Sequence, residues 1–141
     1  MMIMRRSMEY ADLVPKLRSH KVCIWTCDTC ARLCNGIGGK AAATSLMERL
    51  RADGVDVTGV LSTSAGCMMS KLNDKWDSKE LEDCDLILTL TCDVGSACAE
   101  MAFCKDCLNP IETLGPGYLD ENRVPMLADG RVVLLGCDPF I

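Results

Sequence analysis

The amino-acid sequence predicts a single α/β domain in which a small parallel sheet carries helices on its faces, as in Rossmann-like and flavodoxin-like folds. Apolar segments rich in β-branched residues alternate with helix-forming segments, and parallel sheets are built from this alternation. A length of 141 residues and an apolar content of 49% suit one domain with an ordinary core. Residues 1–20 are interpreted as an N-terminal helical arm and residues 21–141 as a cysteine-rich α/β domain.

Strands and helices are assigned in order along the chain. Four strands are predicted, at residues 21–26, 55–61, 85–91 and 131–135. Four helices are predicted, at residues 8–19, 40–53, 77–83 and 95–103. The first strand lacks polar alternation, as expected of a strand buried on both faces. Gly54 follows the second helix where a cap glycine belongs, and residues 114–123 are predicted to form a surface loop.

Cysteine is the most informative residue type in the chain. Eleven cysteines make up about 8% of the sequence, near the level typical of cysteine-built scaffolds. Four of them fall within twelve residues, at positions 23, 27, 30 and 34. Thiolates at this density suit a soft metal ion or an iron–sulfur cluster. An alternative interpretation is that the four cysteines are small apolar residues along one face of a helix, because their spacing also fits that pattern. Cys23 lies in the middle of a predicted strand and is expected to pack in the core.

The positions of the cysteines relative to the strands point to one edge of the sheet. Cys27, Cys67, Cys92 and Cys137 each follow the carboxyl end of a predicted strand. Ligands of open α/β sheets bind outside those ends. The sequence therefore predicts a metal site at the C-terminal ends of the strands.

Two further motifs accompany these cysteines. The turn that contains Gly36, Gly38 and Gly39 precedes a helix, and its backbone N–H groups are candidates to bind an anionic cluster or a phosphate. It does not match a dinucleotide fingerprint or a P-loop, because it does not directly follow the strand and Lys40 is followed by Ala41. Cys104 and Cys107 form a second Cys-x2-Cys pair, which suits a redox dithiol or half of a metal site.

Charge and composition narrow the partners and the compartment. The net charge of −5 and the absence of a dense basic run disfavour nucleic acid and anionic membrane as partners. The sequence contains a single histidine, His20, which disfavours Cys–His catalysis and metal sites built from histidines. An odd cysteine count and the lack of a secretory signal pattern lead us to expect a reducing cytoplasm and free thiols.

With these motifs assembled, the chain resembles the MetV-type cysteine-rich small subunit of methylenetetrahydrofolate reductase in acetogenic bacteria, and the related cysteine-rich C-terminal domains. The resemblance covers roughly residues 20–116. Its matching pieces, in order, are Cys27–Cys34, Gly38–Gly39, the isolated Cys67, Leu88–Gly95 and Leu108–Gly115.

The resemblance implies a 4Fe–4S cluster and a role in electron transfer within one-carbon metabolism of anaerobes. The implied partner is a larger flavin-containing or other redox subunit, and a homo-oligomer is a further possibility. The implied metal ligands are drawn from five candidates, which are Cys27, Cys30, Cys34, Cys67 and Cys92. Family members usually continue into another cysteine-rich motif for a second cluster, which the 141 residues lack. Cys104, Cys107 and Cys137 are the candidates for a substitute second site.

Three functions remain open from the sequence. The first is an iron–sulfur electron-transfer or accessory subunit without bond-making chemistry of its own, in which Asp28 and Asp93 lie next to candidate ligands and tune the cluster. The second is a structural zinc module, since four thiolates bind zinc equally well. The third is a thiol redox enzyme that uses Cys104 and Cys107.

Overall fold

Seven strands and six helices make up the part of the chain that the structure, a computed structural model, describes: residues 1–133 and 135–140. The strands are β1 (Met2–Arg6), β2 (Lys21–Cys27), β3 (Asp56–Thr63), β4 (Leu86–Leu90), β5 (Asp106–Leu108), β6 (Ile111–Leu119) and β7 (Pro125–Leu127). The helices are α1 (Tyr10–Leu17), α2 (Cys30–Leu33), α3 (Lys40–Ala52), α4 (Met69–Asn73), α5 (Lys79–Glu82) and α6 (Asp93–Phe103).

Four strands form the parallel sheet that the sequence predicts. Their order is β3-β2-β4-β5, so that β2 lies between β3 and β4 and pairs in parallel with both. The predicted strands at 21–26, 55–61 and 85–91 are confirmed as β2, β3 and β4. All five residues of β4 are buried, which is the expected result of covering a parallel sheet on both faces. The α/β class is therefore confirmed.

A second, antiparallel sheet was not foreseen from the sequence. Its strand order is β1-β6-β7, and it joins the first residues of the chain to the segment after the parallel sheet. Residues 1–20 thus contain strand β1 as well as helix α1. The surface loop predicted at 114–123 is wrong, because most of it belongs to β6. The sequence did not indicate a strand here because it contains Gly115, Pro116 and Gly117, and glycine and proline are depleted in strands.

Other assignments also differ from the prediction. The last strand, predicted at 131–135, is wrong over the residues described there: Val132 makes only an isolated bridge to Met126, and residue 134 lies outside the described residues. The short elements α2, α4, β5 and β7 were missed, because segments of three to five residues carry no clear periodicity.

Two hydrophobic cores lie on opposite faces of the parallel sheet. Alternate residues of β2 enter different cores: Val22 and Ile24 pack on one side, and Cys23 and Trp25 on the other. The first core is shared with α1, α3 and β1, and the second with α4, α5 and α6. Cys23 is fully buried, as the sequence predicts. Among the described residues, no helix has both the length and the apolar character needed to cross a membrane.

Candidate metal centre

Four of the candidate cysteines line one small cavity at the carboxyl edge of the parallel sheet. The cavity has a volume of about 90 Å³ and is bordered by Cys27, Cys30, Cys67 and Cys92. Cys27 is the last residue of β2, and the other three follow the ends of β2, β3 and β4. The rest of the lining consists of small residues and threonines: Thr29, Ala31, Ala65, Gly66, Thr91 and Gly95. No other protonatable side chain borders the cavity among the described residues, so its chemistry is that of thiols.

Backbone N–H groups hold two of the thiols in place. Cys27 ends β2 and is buried, and the N–H of Gly66 donates to its Sγ over 3.5 Å. Cys30 begins α2, and the N–H of Met2 donates to its Sγ over 3.4 Å. Donors of this kind stabilise sulfur when it carries negative charge. The contact from Met2 also brings β1 to the site, which the sequence did not indicate.

Cys92 stands at the N-terminus of α6, two residues after the end of β4. Burial raises the pKa of its thiol, the N–H groups of Gly95 and Val94 oppose this, and negative charge on Cys30 and Cys27 raises the pKa further. The effect of Cys30 and Cys27 on Cys92 is the repulsion expected between neighbouring thiolates. A bound cation or cluster would remove that repulsion, because its positive charge offsets the charge of its ligands.

Cys67 completes the group from the loop after β3. It is exposed, whereas Cys27 is buried and the other two are half-buried. The next two residues, Met68 and Met69, are exposed as well. Cys67 is therefore the cavity cysteine that solvent reaches most easily, and two exposed methionines follow it in sequence.

Cys34, the fifth candidate, faces away from this cavity. It follows α2 with a non-helical backbone, and its side chain is buried in the first core. Its Sγ lies 3.0 Å from the Sγ of Cys137 and donates to the carbonyl oxygen of Met4 over 3.3 Å. Of the five candidate ligands, four therefore line the cavity and Cys34 lies outside it.

The glycine turn borders a different and larger cavity. Gly36 and Gly38 line a space of about 530 Å³ together with Arg32 and Lys40. The N–H of Gly39 donates to Thr26 Oγ1 over 2.7 Å, and the N–H of Lys40 donates to Asp28 Oδ1 over 2.8 Å. The N–H groups of Gly36 and Gly38 donate to the carbonyl oxygens of Arg32 and Ala31, so that all three glycines already have acceptors within the protein. None of the three lines the cysteine cavity.

Close packing explains why glycine is required at Gly38. A Cβ built there would lie 2.7 Å from the Cβ of Ala31 and 2.7 Å from the carbonyl oxygen of Leu90. Ala31 belongs to α2 beside Cys30, and Leu90 ends β4 two residues before Cys92. The turn therefore packs the two elements that carry these ligand candidates against each other.

The proposed second site is not assembled in the structure. Cys104 is exposed at the end of α6, while Cys107 packs against the second core. Burial, followed by the charges of Glu100, Cys84 and Asp106, raises the pKa of Cys107 to about 12. Cys137 belongs to the first core, on the other side of the sheet. Cys137 therefore lies apart from the Cys104–Cys107 pair.

A buried thiol pair on the second face was missed from the sequence. A hydrogen bond with Cys23 lowers the pKa of Cys84 to about 7, against the opposing effect of burial. Cys84 precedes β4 and Cys23 lies in the adjacent strand, so only the pairing of β2 with β4 brings them together. The sequence offered one indication of this pair. Side chains of a strand alternate between its two faces, so Cys23 and Trp25 were expected on the same face of β2, which is the face that Cys84 also contacts.

The donor set fits a thiolate-bound metal or cluster, although the thiols have not converged on a point. Within residues 1–133 and 135–140, no three Cys, His, Asp or Glu side chains stand close enough together to hold a metal ion. Binding would therefore require side-chain rotation at the cavity. Four thiolates suit both a 4Fe–4S cluster and a zinc ion. Comparison of the chain with family models, curated proteins and solved structures returns no match.

Proposed function

We propose that the chain binds one 4Fe–4S cluster through Cys27, Cys30, Cys67 and Cys92 and acts as an electron-transfer or accessory subunit of a larger redox complex. The observation that carries this proposal is that these four thiols, from three separate loops, line one cavity. The resemblance to the methylenetetrahydrofolate reductase subunit supports the choice of cluster and of a flavin-containing partner. A reducing compartment such as the cytoplasm belongs to the proposal, because free thiols are needed as ligands.

The position of the cavity in the sheet supports the same conclusion. Counted within the parallel sheet, the strand order β3-β2-β4-β5 is 2-1-3-4, as in flavodoxin-like sheets. The direction of the connections reverses between β2 and β4, and ligands of such sheets bind in the crevice at this switch point. Cys27 and Cys92 stand at the carboxyl ends of these two strands.

The chemistry assigned to the chain is to hold the cluster and to tune its potential. A 4Fe–4S cluster supplies reversible one-electron transfer when bound. The buried Cys27 and the small residues around it limit water at the inner side of the cavity. Cys67 and the exposed Met68 provide the side from which a partner can approach closely.

Two other functions remain as alternatives with distinct outcomes. A structural zinc site would use the same four thiols without redox activity. A dithiol enzyme at Cys104 and Cys107 is less favoured, because a pKa of about 12 leaves Cys107 almost entirely protonated near neutral pH.

The decisive experiment is metal and sulfide analysis of the anaerobically purified protein. We expect about four irons and about four sulfides per chain, with a brown visible band that dithionite bleaches. About one zinc without sulfide would overturn the electron-transfer proposal and leave a structural metal module.

Matched serine variants identify the ligands. Cys27→Ser and Cys92→Ser are each expected to lose most of the iron and the visible band, because each removes a thiolate from the cavity. Cys34→Ser and the exposed Cys104→Ser should keep both. Loss of iron in Cys34→Ser together with full retention in Cys92→Ser would contradict the assignment of ligands.

A further inference from the structure

The buried thiols of Cys34 and Cys137 form a close pair that the metal proposal does not use. Their Sγ atoms are 3.0 Å apart, although the two residues are separated by 103 positions in sequence. Cys34 is fully buried and Cys137 is 8% exposed. A disulfide bond measures about 2.05 Å, so the sulfur atoms need to approach by only about 1 Å.

The backbone around Cys137 is already docked beside Cys34. Asn35, the next residue after Cys34, donates from Nδ2 to the carbonyl oxygen of Cys137 over 2.7 Å. On the other side, the N–H of Arg6 donates to the carbonyl oxygen of Gly136 over 2.7 Å, and its side chain pairs with Asp138. These contacts hold the segment 135–140 in the position that a covalent link would require.

We propose that Cys34 and Cys137 form a reversible disulfide that ties the segment 135–140 to the end of helix α2. The link is a modification site distinct from the metal cavity, because neither residue lines that cavity. It goes beyond the proposed function and does not depend on which metal the protein binds. In a reducing compartment such a bond is transient and serves redox sensing rather than permanent stabilisation.

The reaction requires an oxidant, for which a low-molecular-weight disulfide is sufficient. The sulfur of Cys137, which retains some exposure, first exchanges with the oxidant, and one small thiol leaves with the proton of Cys137. The thiolate of Cys34 then attacks the Sγ of Cys137, the mixed disulfide bond breaks, and the second small thiol leaves with the proton of Cys34. Two protein thiols are oxidised to one disulfide while the small disulfide is reduced to two thiols.

The environment of the pair suits the second step. The hydrogen bond with Cys137 lowers the pKa of Cys34, burial opposes this, and a backbone hydrogen bond with Met4 lowers the pKa further. The hydrogen bond between the two thiols raises the pKa of Cys137. Cys34 is thus the better thiolate for the attack on the mixed disulfide, whereas the first exchange, by Cys137, relies on the residual exposure of that residue and is expected to be the slow step.

The sequence allows the link to be measured directly. Trypsin cleavage after Arg32, Lys40 and Arg131 releases the peptides 33–40 and 132–141, each of which contains a single cysteine. The metal-bound protein is incubated anaerobically with graded mixtures of reduced and oxidised glutathione. It is then unfolded in urea with N-ethylmaleimide, so that the reagent reaches the buried thiols, digested and examined by mass spectrometry. We expect the linked pair 33–40/132–141 to become the majority species as the oxidised fraction rises, and to disappear after reduction.

Two variants separate this proposal from the metal proposal. Cys137→Ser should abolish the linked peptide, restore maleimide labelling of peptide 33–40 and leave the iron content unchanged. Cys84→Ser, which alters the other buried pair, should leave the link intact. The proposal is overturned if peptides 33–40 and 132–141 stay maleimide-labelled in every mixture while the exposed Cys67 or Cys104 becomes glutathionylated. Loss of iron from the parent protein would affect only the metal proposal.

Discussion

Individual residues decide which thiols share the cavity. Cys30 and Cys34 are the first residue and the C-terminal cap of the same short helix, yet only Cys30 reaches the cavity. The chain leaves helical geometry at Cys34, whose side chain is held by Met4 and Cys137. A single turn therefore divides the dense cysteine group between two environments with different chemistry.

Gly38→Ala is expected to weaken both the fold and the metal site. The new methyl group would clash with the Cβ of Ala31 and the carbonyl oxygen of Leu90, each only 2.7 Å away. Overpacking of this kind costs about 1–3 kcal/mol, and it would shift the elements that carry Cys30 and Cys92. We expect a lower urea midpoint and reduced iron per chain.

Gly36→Ala is the control for this change. Gly36 has a positive φ of 69°, but a Cβ there meets no atom within 4 Å. The cost should be limited to the left-handed backbone, about 1 kcal/mol, with full iron content. Equal iron loss in both variants would show that the close packing of Gly38 does not support the cavity.

Secondary-structure elements connect the site to the first strand of the chain. β1 pairs with β6 and supplies the N–H of Met2 to Cys30, so that the antiparallel sheet supports a site built mainly on the parallel one. Sequence patterns predicted the strands of the parallel sheet, because continuous apolar runs report burial on both faces. They did not predict β1 and β6, in which arginine, glycine and proline interrupt the pattern.

Ile3→Ala tests whether β1 is an integral part of the fold. Ile3 is fully buried in the first core and packs against Gly117 of β6, where a Cβ would lie 2.4 Å from Ile3 Cγ1. Truncation of a buried isoleucine costs about 2–5 kcal/mol. We expect a large drop in the free energy of unfolding measured by urea denaturation.

Arg5→Ala provides the comparison on the same strand. Arg5 pairs with Glu112 while both side chains are close to half exposed. Exposed ion pairs contribute at most about 1 kcal/mol. If the two variants were equally stable, β1 would not be packed as an integral strand.

Across the whole molecule, groups whose pKa is raised in the folded state make the fold sensitive to alkaline pH, and Tyr10 and Cys107 are two of them. Burial and then a hydrogen bond with Asp53 raise the pKa of Tyr10 from 10.0 to about 12. Burial raises the pKa of Cys107 from 9.0 to about 12. A pKa that is higher in the folded state contributes stability below the unfolded value and loses it as pH rises towards the folded value.

We therefore expect the urea midpoint to fall between pH 9 and pH 12, and Cys107→Ala to make the fall shallower. Cys84 acts in the opposite direction, but its lowered pKa of about 7 confines that effect to pH 7–9. The comparison is accordingly made at pH 9 and pH 11 on the parent and the variant. An unchanged slope in Cys107→Ala would mean that this thiol titrates normally.

Local sequence patterns predicted the α/β class, three strands of the parallel sheet and the strand-end positions of Cys27, Cys67 and Cys92. These predictions follow from local apolar patterns and from the rule that parallel strands end at one edge. The placement of Cys137 in the same group was wrong, because the strand predicted before it is not formed over the described residues and its side chain packs in the first core. Only the tertiary structure separated Cys34 from the four cavity thiols and paired it with Cys137. The physical reason is distance along the chain, because a contact between residues 103 positions apart does not affect the local pattern of apolar residues in either segment.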